Sequence, residues 1–425
     1  MQIGEQVTTK VEKLLFGGDG LAHEGGCALF IPGGIPGETV CVEIVQVKKN
    51  YAEGKLLEVV CPSESRRSPP CPLFSRCGGC DLQQIDDAMQ LRYKVESFHE
   101  VLARIGHFRD LPLAPAIASD PVFGYRFRIQ AKVQGRTLGF YRRGSHDIVP
   151  VRHCPISHPL VNRGLARFSD LISEGLPSLS SLREIQLLVS DQPEQILATF
   201  FLDRADPEGI EPIYRRLKEE IPLAGWVLRG RKTSPVFGRD FVSLSLLGDP
   251  IRISAGSFIQ ANWKLNERIV GWTLEALEIQ KTDRILELYS GIGNFTLSFA
   301  RRAGSVVAVE GSRTGVRDAK FNLKTAGLRN VQLLQGSARW ALPRLQGRFD
   351  RIFLDPPRSG AGEDLLHLLP KGSRRIVYLS CYPATLARDL RLLVDLGWGI
   401  SALQPFDMFP QTGHLEVGAV LEKRS

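Results

Sequence analysis

The sequence predicts an α/β protein: a Rossmann-like, mostly parallel sheet in its C-terminal part, preceded by a small β-barrel and a mixed, strand-rich middle region. Three observations carry this reading. From about residue 256 short apolar runs and amphipathic segments alternate, β then α, to residue 425. Residues 1–60 hold short β-branched runs separated by glycine-rich turns. Residues 61–255 open on a stretch without apolar periodicity and continue with strand-like runs. Three domains follow, 1–60, 61–255 and 256–425, within the range that 425 residues allow.

The apolar runs are short and broken by charges, so none predicts a membrane span. The N-terminus lacks the basic-then-apolar order of a secretory signal, and a cytoplasmic protein is expected. A formal charge of +8 leans toward a polyanionic partner. Eight cysteines in such a chain do not read as a disulfide framework.

In residues 1–60, "EQVTTKVEKLL", "CALFIPG", "ETVCVEIVQVKK" and "KLLEVV" read as strands. "FGGDGLAHEGG" and "PGGIPGE" read as the turns between them, which suggests a barrel of the oligonucleotide-binding kind. Cys27, Cys41 and Cys61 sit singly in apolar contexts and are expected to pack. Residues 61–82 are rich in Pro, Ser, Arg and Gly and cannot build a core. They carry Cys71, Cys77 and Cys80, and Cys154 in "RHCPISH" can supply a fourth thiolate. Four thiolates suit a structural zinc or an iron–sulfur cluster, and a metal would organise this segment; the spacing does not choose between them.

Residues 84–105 predict a helix, with Met89, Tyr93, Val95, Phe98, Val101, Leu102 and Ile105 near one face. In the middle region "YRFRIQAKV", "TLGFYRR", "REIQLLVS", "QILATFFL", "GWVLRG" and "FVSLSLL" are strand candidates, with a helix near "EPIYRRLKEE". Alternation puts Tyr125, Phe127 and Ile129 on one face and Arg126 and Arg128 on the other. A basic face over an aromatic-packed sheet suits phosphate contact.

The last region carries the chemistry. "LELYSGIGNF" places Gly291 and Gly293 where a strand passes into a helix, and Glu310 ends the next strand 19 residues after Gly291. An acid there can accept both hydroxyls of a ribose. Loop, acid and strand order together point to S-adenosylmethionine. Asp355 in "DPPRSG" ends the fourth strand, stiffened by two prolines. Cys381 in "SCYPATLARDL" lies between a strand end and a helix that begins near Pro383. A lone cysteine after an apolar strand is ordinarily a packed residue. This one shares a sheet edge with the glycine loop, Glu310 and Asp355, and a helix N-terminus favours thiolate, so a nucleophile is expected. Glu416 in "HLEVG" is a candidate general base.

The four cysteines, "SGIGNF", "DPPR", "SCYPATLARDL" and "HLEVG", in this order, resemble the RumA-type RNA (uracil-5-)-methyltransferases over nearly the whole chain. The resemblance implies a class I methyltransferase domain and, in residues 1–60 with their "GDGLA" stretch, a TRAM domain. It implies that Cys71, Cys77, Cys80 and Cys154 ligate a 4Fe–4S cluster in the central domain. It implies that Gln260, Tyr289, Asn294, Glu310 and Asp355 bind S-adenosylmethionine or line the uracil pocket. Cys381 becomes the nucleophile and Glu416 the base. The implied partner is RNA, with 23S ribosomal RNA ahead of tRNA, for a monomeric enzyme; a non-catalytic RNA-binding protein is the alternative from another class. Part of residues 84–115 is expected to pack on the catalytic domain. Two departures stand out: Ser337 occupies the place of an Asp or Asn that holds the adenine amino group, and Tyr382 follows the nucleophile where an amide is common.

Overall fold

A computed structural model of the chain describes residues 1–231 and 234–423. Six strands build the N-terminal sheet: β1 Gln6–Lys10, β2 Lys13–Leu14, β3 Asp19–Glu24, β4 Cys27–Pro32, β5 Thr39–Val47 and β6 Tyr51–Cys61. They run in the order β1-β5-β6-β4-β3-β2 around Val11, Ala22, Leu29, Ile31, Val40, Val42, Ile44 and Ala52. The stretch expected as one long turn is largely strand β3. Gly17 and Gly18, at φ +105° and +94°, make the reversal alone, and the residues after them pair with β4. The cysteines of this module are less packed than expected: Cys27 and Cys41 are half-buried and Cys61, at the strand end, is exposed.

Residues 62–86 form no helix or strand beyond isolated bridges, and side chains tie them down. Arg66 reaches the fully buried Glu38 of the first module, with 2.7 Å for the Nη2–Oε2 contact. Asp86 caps helix α1 (Asp87–Ile105) by accepting from the Met89 amide at 3.0 Å.

The central sheet comprises β7 Arg128–Gln134, β8 Thr137–Tyr141, β9 Ile148–Pro150, β10 Leu182–Val189, β11 Ile196–Leu202, β12 Leu223–Arg229 and β13 Val236–Gly238. Their order is β13-β12-β11-β10-β7-β8-β9. Tyr125, Phe127 and Ile129 are buried, as alternation requires, while Arg126 and Arg128 face a cavity. Helix α2 (Pro159–Glu174) was not anticipated. Its signal is plain in retrospect: Leu160, Val161, Leu165, Phe168, Leu171 and Ile172 recur at helical spacing and are buried. Helix α3 (Pro207–Glu220) follows, and β14 (Phe241–Leu246) and β15 (Asp249–Ser254) form a separate hairpin. A second unanticipated helix, α4 (Trp263–Leu277), comes next; Asn262 caps it.

The C-terminal region alternates: β16 Arg284–Leu288, α5 Thr296–Ala300, β17 Ser305–Glu310, α6 Arg313–Thr325, β18 Val331–Gln335, α7 Ala338–Ala341, β19 Arg351–Leu354, α8 Glu363–His367, β20 Arg375–Ser380, α9 Pro383–Asp395, β21 Trp398–Phe406 and β22 Glu416–Lys423. The sheet order is β18-β17-β16-β19-β20-β22-β21, parallel except for β22, which runs antiparallel to both neighbours. Strand order reverses at β16, so a crevice opens beyond the strand ends there. Helix α1 packs on α9, and the segment after it adds to the free edge of β21, with Ala114 N donating to Leu403 O at 2.8 Å.

Candidate active site

A cavity of about 930 Å³ opens beyond the C-terminal ends of β16, β17, β19 and β20. Gln260, Tyr289, Gly291, Glu310, Asp355, Cys381 and Glu416 all stand on its wall. So do Cys71, Cys77, Cys80 and Cys154, at the side where the central region meets the sheet. A second cavity of about 570 Å³ adjoins it, shares Tyr289 and Glu310, and includes Ser337. Gly293 and Asn294 line neither. Gly293, at φ +88°, makes the turn, and the Asn294 amide exchanges hydrogen bonds of 2.8 and 2.9 Å with Asn266 on α4. Asn294 thereby anchors the glycine loop to α4.

Beside the glycine loop the backbone itself fixes the acid. Gly291 N donates to Glu310 Oε2 at 2.8 Å and Ser312 N donates to Oε1 at 2.5 Å. Each carboxylate oxygen keeps acceptor capacity for a diol. Tyr289 adopts φ +66°, a strained conformation for an aromatic residue, just where the strand turns into the cavity. A Cβ placed on Gly291 would meet no atom within 4 Å, so the loop borders open space. Ser337 is already engaged: its Oγ accepts from Trp340 N at 3.2 Å, capping α7.

At the reacting end two clamps hold the loops. Asp389 of α9, fully buried, accepts from the Ala361 amide at 2.7 Å and from the Tyr378 hydroxyl at 2.6 Å, and so fixes the loop after Asp355. Asp318 of α6 accepts from Ser254 N at 2.8 Å and from Ser257 Oγ at 2.6 Å, fixing the loop that carries Gln260. Gln260 Nε2 then lies 3.5 Å from Asp355 Oδ2, a long contact across the cavity.

Cys381 follows β20 directly, and α9 begins at Pro383. The helix end does not win the resting protonation state. Burial first, then the Glu416 charge, pushes the thiol up to about 11, while the charge of Arg358 and its hydrogen bond to the sulfur act the other way. Burial and Glu416 thus oppose the thiolate that the helix end favours. Glu416, 2 % exposed, is held well above the carboxylate range by burial and then by Asp355. Asp355 itself is half-buried, and desolvation pushes it up to about 7. Arg358 was missed as a functional residue although it lies inside the quoted "DPPRSG".

The tRNA (Uracil-5-)-methyltransferase family matches residues 210–424, and the TRAM domain matches residues 1–57. The chain belongs to the S-adenosylmethionine-dependent RNA (uracil-5-)-methyltransferases. It is 34% identical to an uncharacterized RNA methyltransferase of Gloeobacter violaceus, over 99% of this chain and 97% of that one. It is also 34% identical to the 23S rRNA (uracil(1939)-C(5))-methyltransferase RlmD of Vibrio cholerae, over 97% and 95%. Among solved structures it is similar to the Pyrococcus abyssi tRNA (uracil-54, C5)-methyltransferase in complex with S-adenosyl-L-homocysteine. That match has a TM-score of 0.76 at 23% identity and covers 98% of this chain and all of the other. Among the described residues no helix is long and apolar enough to cross a membrane.

One acid of this methyltransferase went unread in the sequence. Glu287, inside β16, is fully buried, and neither carboxyl oxygen has a hydrogen-bond partner. Burial pushes it up to about 8. A carboxyl raised from its ordinary 4.5 contributes stability that is fully present below pH 4.5 and is lost as pH rises through about 8. Glu287→Gln removes that loss. Its stability relative to the parent should improve by more than about 2 kcal/mol between pH 5 and pH 8. Denaturant unfolding at both pH values checks this; a constant difference would contradict it.

Proposed function

We propose that the protein methylates C5 of a uridine in 23S ribosomal RNA through a covalent adduct between Cys381 and C6 of the base. The observation that carries this reading is the shared wall: Cys381, Glu416, Asp355 and Gln260 border the same cavity as Gly291 and Glu310. The curated relatives at 32–34% identity that are named for a substrate act on 23S rRNA and align over nearly their whole length, which favours rRNA over tRNA.

The residues suit the cofactor. Glu310 has acceptor capacity beside an open glycine loop, and Tyr289 flanks both cavities. When bound, S-adenosylmethionine supplies an electrophilic methyl group. C5 of uracil is too electron-poor to take it unaided, so the protein must first make that carbon nucleophilic. For turnover the Cys381 thiol and the Glu416 carboxyl each release a proton to solvent. Arg358 supplies positive charge that favours the sulfur anion. The thiolate adds to C6, the π pair of the C5–C6 double bond shifts, and negative charge gathers over C5 and the 4-carbonyl. After C5 has taken the methyl group, the Glu416 carboxylate removes the C5 proton and the C6–sulfur bond breaks, restoring the double bond. The base must leave its stack to enter so enclosed a site. Arg126 and Arg128 on the cavity wall place cationic groups beside it for the flanking phosphates.

The cysteine group is proposed to hold a 4Fe–4S cluster. Among the described residues no three His, Cys, Asp or Glu side chains are gathered tightly enough to hold a metal ion. A single tetrahedral zinc needs sulfurs about 3.8 Å apart, given bonds of about 2.3 Å. A cuboidal cluster takes one thiolate per iron and accommodates a wider ring. The fit rests on the shared cavity, whose wall carries all four cysteines. Burial raises the thiols of Cys71, Cys77 and Cys80, up to about 12 for Cys80, and Cys154 raises each further, so metal binding would have to displace their protons. The cluster would brace residues 71–80 against the cavity. Anaerobically purified protein should contain about four irons and four sulfides per chain; stoichiometric zinc without iron would exclude the cluster.

The reading as a whole is tested with labelled cofactor and separate 23S rRNA and tRNA substrates, followed by nucleoside mass spectrometry. Labelled 5-methyluridine in the 23S rRNA is expected. Label in tRNA alone would move the substrate, and 5-methylcytidine would overturn the base assignment.

A further inference from the structure

We propose that the turn between β2 and β3 of the N-terminal TRAM domain is part of the active-site framework, with Phe16 as a positioning residue for the nucleophile and base. The proposal rests on the assignment of Cys381 and Glu416 given above. The Phe16 ring lies 5.4 Å from the Tyr382 ring at 88°, and 6.0 Å from the His414 ring at 63°. Tyr382 is the residue after Cys381, and His414 stands two before Glu416. One aromatic ring of the TRAM domain thus touches both catalytic segments edge-on, an arrangement that attracts beyond simple burial.

The backbone closes the same joint. A Cβ on Gly413 would lie 2.3 Å from the Gly17 carbonyl carbon and 2.5 Å from Gly18 N, so no side chain fits between the two turns. Asp81 ties the far side: it donates its amide to Gln411 O at 3.0 Å and accepts from Gly413 N at 3.3 Å. Arg143 bridges Asp81 and Asp19 of β3, at 3.7 and 2.7 Å. His414 reaches on to Arg358, with 3.4 Å between Nε2 and Nη2. Phe16 therefore bears, through single contacts, on the segments that aim Cys381, Arg358 and Glu416. A domain that served only to hold RNA would not need to fill this joint.

The test measures steady-state methyl transfer and RNA binding for Phe16→Ala, Phe16→Leu, Phe16→Tyr, Tyr382→Ala and the double variant Phe16→Ala/Tyr382→Ala. Loss of an edge-on ring contact corresponds to about a two- to tenfold fall in kcat. We expect that fall for Phe16→Ala, with KM for RNA within about twofold of the parent. Phe16→Tyr should restore most of the rate. The double variant should lose little more than the worse single variant, because both remove one contact. Phe16→Leu keeps the apolar volume and is read in place of Phe16→Ala if melting shows that the alanine variant is unfolded. A weakened RNA affinity with unchanged kcat, or losses that multiply independently, would overturn the proposal. Cys381→Ala is run in parallel: full activity there would sink the nucleophile assignment, whereas a parent-like kcat for Phe16→Ala would sink only the positioning role.

Discussion

Cys381→Ala is expected to lower methyl transfer by more than about a thousandfold, with cofactor and RNA affinity little changed. The reason is electronic. Without addition at C6, C5 of uracil stays electron-poor, and holding the methyl group beside it does not create a nucleophile. No other cysteine can substitute. Cys71, Cys77, Cys80 and Cys154 line the same cavity, but at the end where the central region meets the sheet. The fold should tolerate the change, because Cys381 is only half-buried at a strand end and makes no backbone cap. Transfer of labelled methyl groups, alongside equilibrium binding of cofactor and RNA, separates loss of chemistry from loss of binding. Retention of even a tenth of the parent rate would contradict the covalent route.

The second large effect is expected at the base. Glu416→Gln should accumulate a methylated protein–RNA adduct that survives denaturing electrophoresis, with turnover reduced by at least about a hundredfold. Addition to C6 and methyl transfer do not need the carboxylate. Loss of the C5 proton does, and until it leaves, the C6–sulfur bond cannot break. Glutamine keeps the shape, and burial and then Asp355 push the Glu416 carboxyl well above its ordinary range, so a neutral amide costs little there. Stability should therefore be equal to or above that of the parent. Clean release of methylated RNA at the parental rate would assign the proton to another group.

Much of the site was legible in the sequence because its residues end strands. A glycine turn after β16, an acid at the end of β17, Asp355 after β19 and Cys381 after β20 must share one edge of a parallel sheet. What the sequence did not carry was direction and depth. Asn294 sits beside the glycine turn, but the turn aims its amide at Asn266 of α4. Ser337 sits at the end of β18, but a helix of four residues takes its hydroxyl as a cap. The helix end near Cys381 was readable and its electrostatic consequence was not, because burial and the neighbouring Glu416 depend on β22 closing over β20. Arg358, Asp389 and Glu287 follow the same rule. A single charged residue in a motif, a helix or a strand has no periodic signature, and its role appears only when distant segments close around it. The helices α2 and α4 are a different matter. Their apolar spacing was present, and strand-like composition nearby obscured it.

Covalent capture gives the sharpest reading of the whole site. A 23S rRNA fragment carrying 5-fluorouridine cannot lose fluorine as a cation after methyl transfer, so the adduct formed by the parent enzyme should persist. Digestion and mass spectrometry should find the methylated fluorouridine on the peptide that contains Cys381, and on no other. Attachment to a different residue, or release of methylated RNA with no attachment, would contradict the assignment of Cys381 as the nucleophile.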